Sequence, residues 1–256
     1  MMKPCDDTVR SVSVVMPTYN EAGHIVDLVN AVLDAITLSG VSDVEVVVVD
    51  DDSPDGTWRL VEDMSKLDSR IRLLRRMSDH GLTNSIRDGI ACARFDVVVW
   101  MDCDFSHPPE KIPQLLYMLG EGYDIAVNSR YAVGGGEERE GKGGPLQKFL
   151  SWMLNWGTRF LLDAKFSDYT SGFIAVRKSV LADLPLRGDY GEYFIDFIYR
   201  ALKCGYRVCE LPYCAPARRT GESKTGTNLA DYSRRGIKYI ATIARVRFGS
   251  GRALRQ

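Results

Sequence analysis

Long apolar runs are missing from these 256 residues. No stretch approaches the roughly 18 residues that a membrane-spanning helix needs. The segment Met1 to Asp7 has no apolar core, so no secretory signal is expected. An excess of charge is missing too: 33 basic residues face 34 acidic ones, a net charge of -1. That balance gives no global attraction to nucleic acid or to an anionic membrane. Cysteine is sparse, with six scattered residues. Cys204, Cys209 and Cys214 recur every five positions, which is not a zinc pattern, and plain burial is expected for them. Cys92 and Cys103 fall in helix and strand patterns, so reduced thiols and a cytoplasmic setting are expected. There is no internal repeat. A G-x-G-x-x-G turn is absent after the first apolar run, which argues against a dinucleotide-binding dehydrogenase.

Hydrophobic residues make up 45% of the chain, enough for a substantial core. The first half alternates between two periodicities. Val12 to Met16, Glu45 to Val49, Ile71 to Leu74, Val97 to Met101 and Asp124 to Val127 read as strands. The valines before Asp50 are unbroken, as in a strand covered on both faces. Between them, Ile25, Leu28, Val29, Val32, Leu33 and Ile36 mark one buried helix face. Thr57 to Lys66, Thr83 to Ala93 and Pro113 to Leu119 also read as helices. This alternation predicts a doubly wound parallel α/β sheet, with ligands at the carboxyl ends of its strands. The second half is less regular. Ala132 to Pro145 is a glycine-rich, charged loop. Helices are expected at Leu146 to Leu162, Tyr193 to Lys203 and Leu229 to Val246, and strands at Phe173 to Val176 and Arg207 to Leu211. No linker interrupts the chain, so one domain is expected.

Three polar clusters fall at predicted strand ends: Pro17 to Glu21, Asp50 to Asp52, and Asp102-Cys103-Asp104. Two carboxylates one residue apart can hold a hard divalent ion while it grips a diphosphate. The plain alternative is that these acids only terminate a strand. Asp50 or Asp51 can accept hydrogen bonds from a ribose or base, while Ser53-Pro54-Asp55-Gly56 makes a turn. Asp189 and Glu192 are spaced as a helix capping box. After Asp231 the chain has no acid but carries Arg234, Arg235, Lys238, Arg245, Arg247, Arg252 and Arg255 among apolar residues. Such a helix can lie on an anionic membrane, or simply pack with a solvated basic face.

Taken in order, Pro17-Thr18-Tyr19-Asn20-Glu21, Asp50-Asp51-Asp52-Ser53-Pro54-Asp55, Asp102-Cys103-Asp104, Ser129-Arg130-Tyr131 and Gly221-Glu222-Ser223-Lys224 resemble the family 2 glycosyltransferases. Within that family the string is most similar to dolichol-phosphate mannosyltransferase catalytic subunits and their bacterial polyprenyl-phosphate relatives. The resemblance spans about residues 12 to 245. It implies a GT-A-type, Rossmann-like, mostly parallel sheet flanked by helices, with acceptor-side helices and a C-terminal amphipathic helix. Residues about 10–130 would bind the nucleotide sugar, and about 131–256 would form the acceptor and membrane-surface part. The resemblance assigns Pro17, Tyr19, Glu21, Val49 and Asp51 to the nucleoside. It assigns Asp102, Cys103 and Asp104 to the diphosphate and to Mg2+ or Mn2+, with Asp102 and Asp104 as metal ligands. Arg130, Arg218 and Lys224 would contact phosphates. Cations beside a departing diphosphate offset its charge.

Two positions depart from the family pattern. Cys103 stands where alanine is usual, and Gln147 stands where an acceptor-phosphate arginine is frequent. Lys148 or Lys142 can take over that charge, and Lys148 and Ser151 are the acceptor-side candidates. Glu192 holds the place of a catalytic base in members that use hydroxyl acceptors. With Asp104 and Arg130 it completes the expected catalytic set. A phosphate acceptor needs no base, being largely dianionic at neutral pH. The resemblance implies inverting transfer of a hexose, mannose from GDP-mannose, to a polyprenyl or dolichyl phosphate. The alternative is transfer of glucose or an N-acetylhexosamine from a UDP-sugar to a lipid phosphate or a saccharide hydroxyl. A sugar-phosphate nucleotidyltransferase would need a glycine-rich basic loop after the first strand. A non-catalytic homologue would be expected to lose the acids or the cations. No nucleic acid partner is expected, and the protein is placed in the cytoplasm at the inner face of a membrane.

Overall fold

The computed structural model describes residues 8–138, 144–216 and 229–249, with backbone alone at 144–150 and 229–235. The chain runs β1 (Ser11–Thr18), α1 (Ile25–Leu38), β2 (Asp43–Asp50), α2 (Thr57–Leu67), β3 (Ile71–Arg75), α3 (Leu82–Cys92) and β4 (Val97–Trp100). A short 3-10 turn, Pro109–Lys111, leads into α4 (Ile112–Gly120) and β5 (Ile125–Ser129). Then follow β6 (Gly136–Glu137), α5 (Gly144–Leu161), β7 (Ile174–Arg177), α6 (Lys178–Asp183) and α7 (Glu192–Cys204). The described chain closes with β8 (Val208–Pro212), β9 (Cys214–Ala215) and α8 (Leu229–Phe248).

Seven strands form one sheet in the order β3-β2-β1-β4-β7-β5-β8, and β6 pairs with β9 apart from it. Side chains alternate across each strand. Val12, Val14 and Met16 therefore pack with α1 and α4, while Val15 points to the opposite layer with Val47, Val49 and Ile86. The valine run of β2 is buried on both faces, as its composition predicts. Gly89 lets α3 approach closely: a Cβ there would lie 2.3 Å from Val15 Cγ1.

The sheet is not wholly parallel. β7 runs antiparallel to both neighbours, β4 and β5. Its reversal has a consequence for function. The residues just before β7 reach the same sheet edge at which β1, β2, β4 and β5 end. The cysteine expectation also needs correction. Cys103 lies past β4 in a loop, and Cys214 is exposed, while Cys204 and Cys209 are half-buried. Cys92, Cys103, Cys204, Cys209 and Cys214 are free thiols. Among the described residues no helix is long and apolar enough to cross a membrane.

Candidate active site

The loop after β1 is pinned by the turn after β2. Backbone N–H groups of Asn20, Glu21 and Ala22 donate to Ser53 Oγ (3.0 Å), Thr57 Oγ1 (2.9 Å) and Asp55 Oδ2 (3.0 Å). Asp50 is turned inward and accepts both Ser53 N–H (2.8 Å) and Ser53 Oγ–H (2.6 Å). Its burial raises the carboxyl pKa, against the pull of those two bonds. Of the two aspartates left open by sequence, Asp50 is thus a bracing residue. Asp51 is the one beside the edge, and it is itself held: Arg76 (2.6 Å) and Ser85 (2.8 Å) donate to Oδ1, and Gly81 N–H to Oδ2 (2.7 Å). Arg76 also bonds Asp88 at 2.7 Å. Sequence reasoning missed Arg76, although its place just past β3 was a usable signal. Tyr19 is exposed over this loop, Glu21 contacts His24 at 2.6 Å, and Pro17 is half-buried beside Val49 in the β1–β2 pairing. Val49 itself points its side chain into the core, so only its main chain can face a ligand.

Asp102, Cys103 and Asp104 follow β4 at the same edge. The Asp102 side chain is 46% exposed. Asp104 is buried, and its Oδ1 accepts from Ser106 N–H (3.0 Å) and Oγ–H (2.5 Å). Cys103 Sγ sits 3.7 Å from Thr18 Oγ1, and burial pushes the thiol well up, so it stays neutral. Among the described residues no cluster of three or more metal-ligating side chains exists. The donor set is therefore two hard carboxylates, one of them open to solvent. That fits an oxygen-seeking divalent ion completed by diphosphate oxygens and water. Asp102 and Asp104 are the carboxylates that could hold Mg2+ or Mn2+ there.

Arg130 is more enclosed than a surface cation. Its Nε and Nη2 form a bidentate pair with Asp168 (2.9 and 3.0 Å), and its backbone N–H adds a third bond at 3.0 Å. Nη2 also reaches Thr170 O and Oγ1, and Nη1 lies 3.4 Å from Glu137 on β6. Burial works against both charges. The charge of Arg130 nevertheless holds the Asp168 carboxyl below its ordinary range, and the acids hold Arg130 well above its own. Glu210 on β8 in turn accepts the backbone N–H of Ser167 (2.6 Å) and Asp168 (3.0 Å). Sequence reasoning missed Asp168 and Glu210. The polar run Ser167 to Ser171 before an apolar strand was the available signal, but it acquires meaning only once β7 is reversed.

The segment before α7 closes the site from α3's side. Tyr190 O accepts Thr83 Oγ1–H at 3.3 Å, and Tyr193 Oη accepts the Trp100 indole N–H at 2.8 Å. Glu192 is 4% exposed. Its Oε1 accepts Asp189 N–H at 3.1 Å, and Oε2 has no hydrogen-bond partner among the described residues. This is half of the expected capping box. The other half does not form, because the Asp189 carboxylate pairs with Lys238 of α8 instead and the helix cap is Gly191. On α5, Ser151 Oγ lies 3.4 Å from Tyr131 Oη. Arg218, Lys224, Lys142 and the Gly221–Lys224 motif lie outside the described residues, as does the Lys148 side chain.

One surface feature was not foreseen. Trp152, Trp156 and Phe160 on α5 stack in a ladder, with ring centroids 6.5 and 6.1 Å apart. All three are exposed, Phe160 by 78%. Ile237 and Ile240 of α8 are exposed as well.

Comparison with known proteins places this arrangement. Residues 13–184 match the Glycosyl transferase family 2 profile. The chain is 34% identical over 245 residues to a dolichol-phosphate mannosyltransferase of Pyrococcus furiosus, covering 92% of this chain and 66% of that one. It is 35% identical over 227 residues to a polyprenol monophosphomannose synthase of Mycolicibacterium smegmatis, covering 85% of this chain and 82% of the other. The fold is similar to that of a solved glucosyl-3-phosphoglycerate synthase of Mycobacterium tuberculosis in complex with Mn2+ and UDP. The TM-score there is 0.66 at 20% identity, over 93% of this chain and 80% of that one.

Proposed function

The chain belongs to glycosyl transferase family 2, and from that premise we propose that it transfers mannose from GDP-mannose to a polyprenyl or dolichyl phosphate, with inversion. One observation carries the reading: a paired-carboxylate loop, a nucleoside-side loop and Arg130 converge on one sheet edge. The relatives named as lipid-phosphate mannosyltransferases support the substrate class.

Tyr19, Glu21, Asp51 and the main chains of Pro17 and Val49 hold the nucleoside. Arg76 orients Asp51 by pairing with it. Asp102 and Asp104 would hold Mg2+ or Mn2+, and the main chain of Cys103 between them would line the diphosphate, its thiol being turned into the protein against Thr18. A bound divalent ion supplies positive charge that stabilises the leaving diphosphate. Arg130 adds a fixed guanidinium, held by Asp168 so that it need not reorganise during reaction. Arg218 and Lys224 add further phosphate contacts. Lys148 and Ser151 would bind the acceptor phosphate.

A phosphate acceptor arrives ionised, so no residue has to remove a proton. The bond from Glu192 Oε1 to Asp189 N–H supports a positioning role for that glutamate. The lipid part of the acceptor calls for contact with a bilayer. The exposed aromatic ladder of α5 supports such a contact, because indole rings favour the membrane interface. α5 contains Lys148 and Arg159 and no acid, and the chain after Asp231 has only basic charge. Together they suit the anionic inner face of a membrane, with the protein held peripherally.

The test is a panel of labelled nucleotide sugars offered with a polyprenyl phosphate or a saccharide. Mannosyl-phospholipid from GDP-mannose is expected. Transfer from a UDP-sugar, with GDP-mannose inert, would replace the donor assignment, and transfer only to a saccharide hydroxyl would replace the acceptor.

A further inference from the structure

His107 has no part in the chemistry just described, yet it closes the loop on which that chemistry depends. Six residues, Asp102 to His107, leave β4 and fold back on themselves. At the closure the Asp102 backbone N–H donates to His107 Nδ1 at 2.9 Å. The imidazole is buried, stacked on Phe173 at 4.8 Å and 10°, with Tyr213 edge-on at 6.3 Å. Inside the loop Phe105 holds φ at +61°, a conformation that bulky residues adopt only when their surroundings enforce it. The acceptor role of Nδ1 fixes the ring's state. A nitrogen that accepts an amide N–H carries no proton, so the uncharged ring has its hydrogen on Nε2. Nε2 lies 4.0 Å from Asp102 Oδ2, beyond hydrogen-bond distance.

We propose that His107 is a positioning residue for the cation site: through Nδ1 it clamps the main chain at Asp102, so that the Asp102 and Asp104 carboxylates are arranged before the ion arrives. The proposal rests on the metal-dependent reading above. Groups that orient metal ligands from behind typically contribute 10- to 100-fold in metal affinity. Plain packing is the competing explanation, since the ring is also stacked. The two differ in which atoms they require.

Mn2+ titrated into full-length protein saturated with GDP, with free Mn2+ followed by electron paramagnetic resonance, separates them. In His107→Asn the side-chain oxygen takes the place of Nδ1, so Mn2+ affinity should stay within about threefold of wild type. In His107→Gln the amide falls at the place of Nε2 and the Asp102 N–H loses its acceptor. Affinity should drop about 10- to 100-fold. Phe173→Leu removes the stack but not the clasp: it should lower the melting temperature and leave Mn2+ affinity within about threefold. Wild-type affinity in His107→Gln would overturn the proposal. So would a loss of about tenfold or more in His107→Asn or Phe173→Leu, and these two variants decide the matter if the glutamine variant does not fold. Wild-type protein that binds no Mn2+ with either GDP or UDP would overturn the metal reading and this inference with it, a result distinct from every variant outcome.

Discussion

Replacing Asp168 by asparagine removes the carboxylate that five donors share. Arg130 supplies its backbone N–H, Nε and Nη2, and Thr170 supplies its backbone N–H and Oγ1. An asparagine has one acceptor oxygen, and its amide N–H2 would confront the remaining donors. The guanidinium of Arg130 would stay charged in a site where both partners are buried. Breaking one side of such a pair typically costs about 3–5 kcal/mol. For a chain of this size that corresponds to a fall in Tm of roughly 6–20 °C. Transfer activity should fall further than stability, since Arg130 would no longer be aimed at the diphosphate. The double variant Asp168→Leu with Arg130→Met should regain part of the stability, because an apolar pair can replace a buried ion pair at little cost, yet it should regain no activity.

The pH dependence of this pair has a definite sign. The folded Asp168 carboxyl lies below its ordinary value. Its contribution is therefore present above the unfolded value, about 3.9, and is lost as pH falls through the lower folded value. Wild-type stability should show an acid limb below about pH 4 that is shallower in Asp168→Asn, where the other lowered carboxyls, Glu45 and Asp68, still contribute. Urea unfolding of the wild type, Asp168→Leu, Arg130→Met and the double variant measures the cycle, with Asp168→Asn measured beside them. An Asp168→Asn cost under about 1 kcal/mol, the range of an exposed pair, would refute the claim that Arg130 is held by a buried partner.

Two further predictions concern the acceptor side. Glu192→Gln should keep kcat within about tenfold of wild type, because a phosphate acceptor has no proton to lose; a loss of about 10² to 10⁴ would mean general-base catalysis on a hydroxyl. Trp152→Ala with Trp156→Ala should weaken binding to anionic vesicles by tenfold or more while leaving unfolding nearly unchanged, since each exposed indole offers about 2 kcal/mol of apolar burial at an interface. Vesicle binding equal to wild type would remove α5 from the membrane contact.

Much of the sheet was legible because periodicity reports burial. The valines before Asp50 and the spacing of Ile25 to Ile36 named their elements, and both proved buried as expected. Direction was not legible. Nothing in Ile174 to Arg177 distinguishes a parallel strand from an antiparallel one, so the reversed β7 was missed, and with it the route that brings Asp168 to Arg130. Short elements such as β6 and β9 carry too few residues for any period. Residue chemistry alone could not separate Asp50 from Asp51, although the family resemblance picks Asp51. They are chemically identical neighbours, and only the pairing of one with Ser53 and the other with Arg76 tells them apart. Glu192 shows a further limit: the capping-box spacing was real, but Lys238 of α8 takes the Asp189 carboxylate that would have completed it.

The central claim is that the paired carboxylates after β4 support transfer of mannose to a lipid phosphate, and it can be measured directly. Purified protein is incubated with labelled GDP-mannose and a polyprenyl phosphate, and label entering the lipid phase is counted with Mn2+, with EDTA, and for Asp104→Ala. The account predicts transfer by wild type with Mn2+. It predicts a loss of about a thousandfold or more in EDTA and in a folded Asp104→Ala variant, the scale of removing a major source of leaving-group stabilisation. Undiminished transfer by metal-free wild type, or by Asp104→Ala, would contradict it.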